Sequence, residues 1–298
     1  MHTRYLVVLW NSESLIMSAG RPPQAEAAEV SLTPSEGWHC THCYYRFDRR
    51  VLCQMSPSEI AKGRKQIVEI LESKSSRATE RLQTSIVSGH KADFGLMLMD
   101  PDPLKIDAVH QRLMASVLGA ALESTYSFVS LTEISEYVPT VQQYGQRLVA
   151  EGETEGSDAF QAKLEAYQKR EPMMRRHRLT PDFPPWPATC FYPMNKIRVV
   201  EANWFVLPFS QRSELMAEHA KTGMQFGGKV TQLITASTGL DDWEWGVTLW
   251  ARNPQFLKEI VYRMRFDEAS ARYAEFGPFY TSYITSPEKM LSHCCLSD

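Results

Sequence analysis

No stretch of this 298-residue chain approaches the length of a membrane span, and the apolar run Tyr5 to Trp10 is too short for the hydrophobic region of a signal peptide. A cytoplasmic protein is the resulting expectation. Excess charge is also missing. A formal net charge of -3 gives no field able to gather nucleic acid or an anionic membrane surface, so partners have to be read from individual sites. Cysteine is sparse: six residues, with no disulfide-dense segment, fit free thiols in a reducing compartment, and the adjacent Cys294 and Cys295 are expected to be exposed. What is plentiful is apolar side chain, at 43%, enough for a sizeable core in one large or two modest domains.

Residues 1–36 include an Ala/Glu/Pro/Ser-rich stretch from Ser18 to Glu36 with little periodicity, which reads as a flexible leader. From Trp38 onward, extended segments alternate with amphipathic helices. An internal repeat organises them. Phe94-Gly95-Leu96-Met97-Leu98-Met99 overlays Trp245-Gly246-Val247-Thr248-Leu249-Trp250. Each copy is followed by a proline, Pro103 or Pro254, and by a helix whose third turn ends in arginine, Arg112 or Arg263. Upstream of the first copy lie a strand from Trp38 to Asp48 and a helix opened by the capping box Ser56-Pro57-Ser58-Glu59. Upstream of the second, the pattern predicts a strand from Asn203 to Leu207 and a helix from Ser210 to Thr222, stopped by Gly223. The expected architecture is α+β: two ferredoxin-like βαββαβ repeats, over 37–144 and 179–298, whose sheets pack face to face or close into a barrel. Between them, 145–178 is rich in Glu, Gln, Lys and Arg and offers one short helix, so it reads as a solvated linker or flap.

His39-Cys40-Thr41-His42-Cys43 has the look of half a zinc site, but in a strand Cys40 and Cys43 point to opposite faces, and no second Cys/His pair follows. Tyr44 stands where a Cys-x-x-Cys-His haem attachment would need histidine, so structural thiols are the better reading. His219 falls in the last turn of its helix on the face of Leu215 and Met216. A lone core histidine is more often structural than a ligand, and no partner at i+3 or i+4 supports a zinc or di-iron site; one axial imidazole is nevertheless all that a b-type haem requires. In the strand Lys229 to Ala236, Gln232 shares a face with Val230 and Ile234. It either meets a polar ligand or faces solvent. Tyr192, Met194 and Lys196 alternate onto one side of an extended segment, which suits a proton or radical relay and equally a packed aromatic beside a surface charge.

Phe191-Tyr192-Pro193-Met194-Asn195-Lys196, Asn203-Trp204-Phe205, Leu215-Met216-Ala217-Glu218-His219, the run Gly239 to Leu249 and the run Met264 to Tyr273 together resemble the coproheme decarboxylase branch of the chlorite-dismutase-like family. Gly37-Trp38-His39 and Ser130 to Tyr137 extend the likeness into the first half. The resemblance implies a homopentamer with non-covalent haem in the C-terminal half alone. It implies His219 as axial iron ligand, Trp243 packed near it, and Gln232 as the distal residue where true chlorite dismutases carry arginine. Tyr192 would form a radical, Lys196 would stand beside the reacting propionate, and Arg178, Ser270 and Met194 would line the propionates.

The implied reaction is oxidative decarboxylation of iron coproporphyrin III (coproheme) to haem b with hydrogen peroxide. The porphyrin is then both substrate and cofactor, with transient contact to a ferrochelatase. The alternatives are chlorite dismutation, general haem peroxidase activity, or a haem carrier or sensor without turnover. The chain departs from the family after His219, where Met224 replaces an arginine and Phe226 a tyrosine.

Overall fold

The computed structural model describes residues 30–72 and 78–296, with Thr33–Asp298 forming one compact unit, so most of the expected leader lies outside the described residues. The first half runs through β1 (His39–Phe47), a short α1 (Arg49–Leu52), α2 (Pro57–Leu71), β2 (Arg81–Val87), β3 (Phe94–Asp100), α3 (Pro103–Met114) and β4 (Leu122–Thr132). The capping box is formed as the sequence indicates: Ser56 and Glu59 exchange hydrogen bonds, with Pro57 in the first helical turn. Asp102 caps α3 in the same way that a side-chain oxygen satisfies any orphan first-turn amide.

The segment expected to be a solvated linker is instead a helical hairpin, α4 (Val141–Ala150) and α5 (Asp158–Leu179). Thr140 and Gln143 form a second capping box, and Tyr144 stacks on Tyr167 with ring centroids 4.3 Å apart. Only Phe160 and Tyr167 are buried along the 22 residues of α5, which is why the periodicity is faint in the sequence. Pro172 lies inside this helix, where it removes one backbone donor.

The second half comprises β5 (Ala188–Lys196), the small hairpin β6 (Arg198–Val199) and β7 (Ala202–Asn203), α6 (Phe209–Met224), β8 (Val230–Ala236), β9 (Trp245–Ala251), α7 (Pro254–Met264), the single turn α8 (Glu268–Ala271), β10 (Ala274–Phe276) and β11 (Tyr280–Ile284); α9 (Pro287–His293) follows. Its opening strand is therefore β5, not the Asn203–Leu207 segment, where Asn203 instead caps a 3-10 turn over Trp204–Val206. The sequence shows this segment as extended, but Pro193 argues against a strand paired on both sides, since proline is normally excluded from strand interiors. It is tolerated because it falls at a break: β11 pairs with Phe191 and the residues before it, β10 with Met194 and the residues after it.

Strand order explains why two halves make one body. The nine-stranded sheet runs β10-β5-β11-β2-β3-β1-β4-β8-β9, and β9 pairs back onto β5, so the sheet closes into a barrel within one chain. Each half contributes the ferredoxin-like order, β2-β3-β1-β4 and β8-β9-β5-β11, joined at the seams β4–β8 and β11–β2. Inside the barrel His42 stacks on Phe191 at 4.0 Å, and the two occupy matching places: His42 lies opposite Phe128 on β4, and Phe191 opposite Tyr280 on β11. Burial pushes the His42 imidazole down to about 3, so it sits there neutral, with Nε2 2.8 Å from the Thr248 hydroxyl.

The paired glycines of the repeat now have a cause. A Cβ on Gly95 would stand 2.7 Å from the Tyr44 ring, and one on Gly246 would stand 2.5 Å from the Phe128 ring. Gly246→Ala is accordingly expected to destabilise the fold by about 1–3 kcal/mol through overpacking. A thermal melt should show the midpoint falling by several degrees; an unchanged midpoint would mean that the Phe128 ring yields without strain.

As expected, Cys40 and Cys43 face opposite ways: Cys40 packs inside the barrel with Met97, Met99, Leu233 and Trp250, Cys43 in the core beneath the first half's helices. Among the described residues no cluster of three or more His, Cys, Asp or Glu side chains could hold a metal ion, and the described cysteines are free. Cys294 corrects the expectation of an exposed pair: it is buried in the first half's core, while Cys295 is exposed. No described helix is long and apolar enough to cross a membrane.

Candidate functional site

The two halves share a fold but not a core. In the first, α2 buries Ile67, Ile70 and Leu71 into one cluster with the outward side chains of β1 and β3, and α9 adds Met290 and Leu291. In the second, the cluster on the outer face of β5, β8 and β9 is closed by Leu257, Ile260 and Met264 of α7, with no residue of α6. Helix α6 buries Leu215 alone, and that side chain packs with Trp204, Ala269 and Tyr273 rather than on the sheet. The outer face of β8 is left uncovered at Gln232 and at Ile234, the latter 38% exposed. An amphipathic helix held off its sheet is what a flat ligand between the two requires, since side chains of α6 would otherwise fill the gap.

His219 lies on α6 with its side chain 26% exposed. Its Nδ1 is 3.1 Å from Oδ2 of Asp267, a residue that sequence reasoning did not single out. A carboxylate only accepts, so Nδ1 carries a proton, and in the neutral imidazole it is Nε2 that presents a lone pair. Orienting an imidazole by a carboxylate behind it fixes the tautomer and raises the basicity of the other nitrogen, as in most histidine metal ligands. Burial works to raise the Asp267 carboxyl, but the hydrogen bonds from His219 and Ser270 prevail and hold it below the ordinary carboxylate value. Ser270 is buried beside this pair, its backbone amide donating to Asp267 Oδ1 at 3.0 Å and its hydroxyl 3.4 Å from His219 Nδ1. Asp267 is legible in the sequence only as the N-cap of α8, a role it also fills.

Lys196 joins the same cluster from β5. Its ammonium donates to the Ala269 carbonyl at 2.9 Å and lies 4.0 Å over the Trp204 ring. Burial pulls its pKa down to about 8, against the opposing pull of Asp267 and Glu244. Four residues earlier, Tyr192 is buried on the same side of the strand, stacked on Phe279 at 4.4 Å and edge-on to Phe276 at 5.7 Å. Burial pushes its phenol well up, so it stays protonated. Register puts Tyr192 opposite Val247 and Val247 opposite Ile234, while Gln232 faces Leu249; Tyr192 and Gln232 therefore share the outer face two strands apart, about 10 Å across. Met194 lies between Tyr192 and Lys196, half-buried against that core.

Four other positions that the sequence singles out make no described hydrogen bond to His219. Arg178 lies in the last turn of α5, lining a small pocket with Ile134, Val138, Pro139 and Met174. Trp243 packs at the barrel mouth with Phe128, Phe191 and Tyr280, next to Gly277, and no described contact joins it to His219. Met224 closes α6 at 72% exposure, and Phe226 packs on the α7 core. A separate groove of about 470 Å³ under the β6–β7 hairpin, lined in part by Arg198, Val200 and Arg272, contains none of the predicted site residues.

The chain is similar to known proteins in fold. A heme-binding protein from Thermus thermophilus is 30% identical, covering 87% of this chain and 96% of its own, with a TM-score of 0.69. A mutant chlorite dismutase from Candidatus Nitrospira defluvii shares the fold at 15% identity and TM-score 0.66, over 88% of this chain and 98% of its own. The same enzyme in complex with imidazole superposes with a TM-score of 0.65 at 16% identity, covering 88% and 97% respectively. The family model for chlorite dismutase matches residues 60–285, and the chain belongs to that family.

Proposed function

We propose that this chain binds an iron porphyrin through His219 Nε2 and decarboxylates coproheme to haem b at the expense of hydrogen peroxide. The observation that carries the reading is the His219–Asp267 pair on a helix lifted from a sheet face that bears Gln232 and Tyr192. When bound, the iron porphyrin supplies the peroxide-driven oxidation, and its propionates are the groups to be lost. Asp267 holds the proton on Nδ1 and keeps Nε2 free for iron. From the exposed sheet face Gln232 would offer the bound group a neutral amide, where true chlorite dismutases carry arginine. The Tyr192 phenol, protonated and walled by Phe276 and Phe279, would give up its hydroxyl hydrogen to the peroxide-derived oxidant and take one back from a propionate β-carbon; release of carbon dioxide with loss of a second electron to the same oxidant would leave the vinyl group, one peroxide becoming two waters for each vinyl formed. Lys196 contributes a cation for the departing carboxylate, with Met194 between them and with Arg178 and Ser270 as further propionate contacts.

Mass spectrometry of the porphyrin after peroxide addition tests this. Sequential loss of two carboxyl groups is expected. Oxygen release from chlorite without vinyl product would favour the dismutase alternative, and bleaching with an unchanged side-chain mass would favour a carrier.

A pH profile tests Lys196 separately. Its folded pKa of about 8 predicts that the decarboxylation rate falls as pH rises through that value, and that Lys196→Arg moves the fall upward. Because the folded value lies below the ordinary lysine value, the charged form is the one that folding disfavours. Its contribution to stability therefore rises over the same window, so the titration of Lys196 does not itself unfold the protein there, and a melt at each pH separates loss of rate from loss of fold. A flat profile in the wild type would remove Lys196 from the reaction.

A further inference from the structure

Helix α6 is lightly held for an element that carries an iron ligand. It starts after Pro208 with no side-chain cap, and Leu215 is its one buried residue. Near its C-terminal end His219 is tied to Asp267. Its first turn is fastened by Arg212, whose Nη1 donates to the Leu207 carbonyl at 2.9 Å, Nε to the Tyr137 hydroxyl at 3.3 Å and Nη2 to Glu136 Oε2 at 3.3 Å. The guanidinium lies 5.7 Å over the Phe209 ring, and Tyr137 stacks on that ring at 5.9 Å and 8°. The Arg212 side chain is 18% exposed while its Glu136 partner is 53% exposed, so the clasp rests on the several donors of the guanidinium and its stacking and not on the ion pair alone. Glu136 and Tyr137 belong to the loop between β4 and α4, so the fastening reaches α6 from outside its own half.

We propose that Arg212 is a positioning residue: its clasp on Glu136 and Tyr137 sets the pose of α6 over the sheet and with it the aim of the His219 imidazole. The inference rests on the haem reading. A planar fork donates in three directions at once, whereas a lysine ammonium at the end of a flexible stem can keep the charge contact but not the whole set.

Two measurements test it. In the apoprotein, hydrogen exchange over residues 209–224 is expected to rise about tenfold in Arg212→Met while amides of β3 and β9 stay as in the wild type. In the haem-loaded protein, transfer to a scavenging apoprotein is expected to quicken by a similar factor. Arg212→Lys should recover part of both effects, and the milder Tyr137→Phe should shift both in the same direction. Unchanged exchange in α6 overturns the clasp. Faster exchange with unaltered haem release overturns the link to His219. Failure of the wild type to bind haem would sink the functional reading instead, with the exchange data still deciding the clasp.

Discussion

His219→Ala is expected to leave the porphyrin without an axial protein ligand, seen as loss of the ligated ferric Soret spectrum and its return on adding free imidazole. The imidazole on α6 has its Nδ1 committed to Asp267 and its Nε2 without a hydrogen bond among the described residues. Asp267→Asn separates orientation from charge. An amide can still accept from Nδ1, but it carries no negative charge, so haem affinity is expected to drop about 10- to 100-fold. The carboxyl also makes a pH prediction. Its folded pKa is depressed, so its stabilising contribution is present above the ordinary carboxylate range and disappears as pH falls through the folded value. Haem release on acidification should follow that course and be blunted in Asp267→Asn. Wild-type affinity in both variants would show that iron is held elsewhere.

Tyr192→Phe is expected to lower decarboxylation by about 10²-fold or more, while leaving haem binding and the melting temperature near their wild-type values. The ring keeps its stacking on Phe279 and its edge contact with Phe276, and no described residue hydrogen-bonds to the hydroxyl. Removing that oxygen therefore subtracts chemistry without creating a cavity. Stopped-flow mixing with peroxide followed by mass analysis would decide it, and normal turnover by the phenylalanine variant would end the radical role.

Much of the barrel is readable before any coordinates, because its signals are local. The glycines of β3 and β9 each sit under an aromatic ring, and each strand leads through a capped turn into a proline-started helix. His219 is readable from its spacing after Leu215. Asp267 is not: it stands 48 residues away and looks like any helix cap, and only folding brings it behind the imidazole. The β5 segment is readable as extended, but its place as the opening strand of the second half is not, because Pro193 is tolerated only through a gap between two other strands. The α4–α5 hairpin is hidden for a different reason: only Phe160 and Tyr167 are buried along the 22 residues of α5, which leaves it no regular apolar stripe.

The placement of α9 bears on how the chain is made. Met290, Leu291, Cys294 and Leu296 belong to the core of the first half, and β11 supplies the neighbour of β2. A nascent chain that has emerged only as far as β4 thus lacks both a wall of its core and the partner of an edge strand. Vectorial synthesis cannot finish the amino-terminal lobe first. The two lobes must mature together, after translation has delivered residues of α9, and ribosome-bound fragments ending before that helix should remain sensitive to protease.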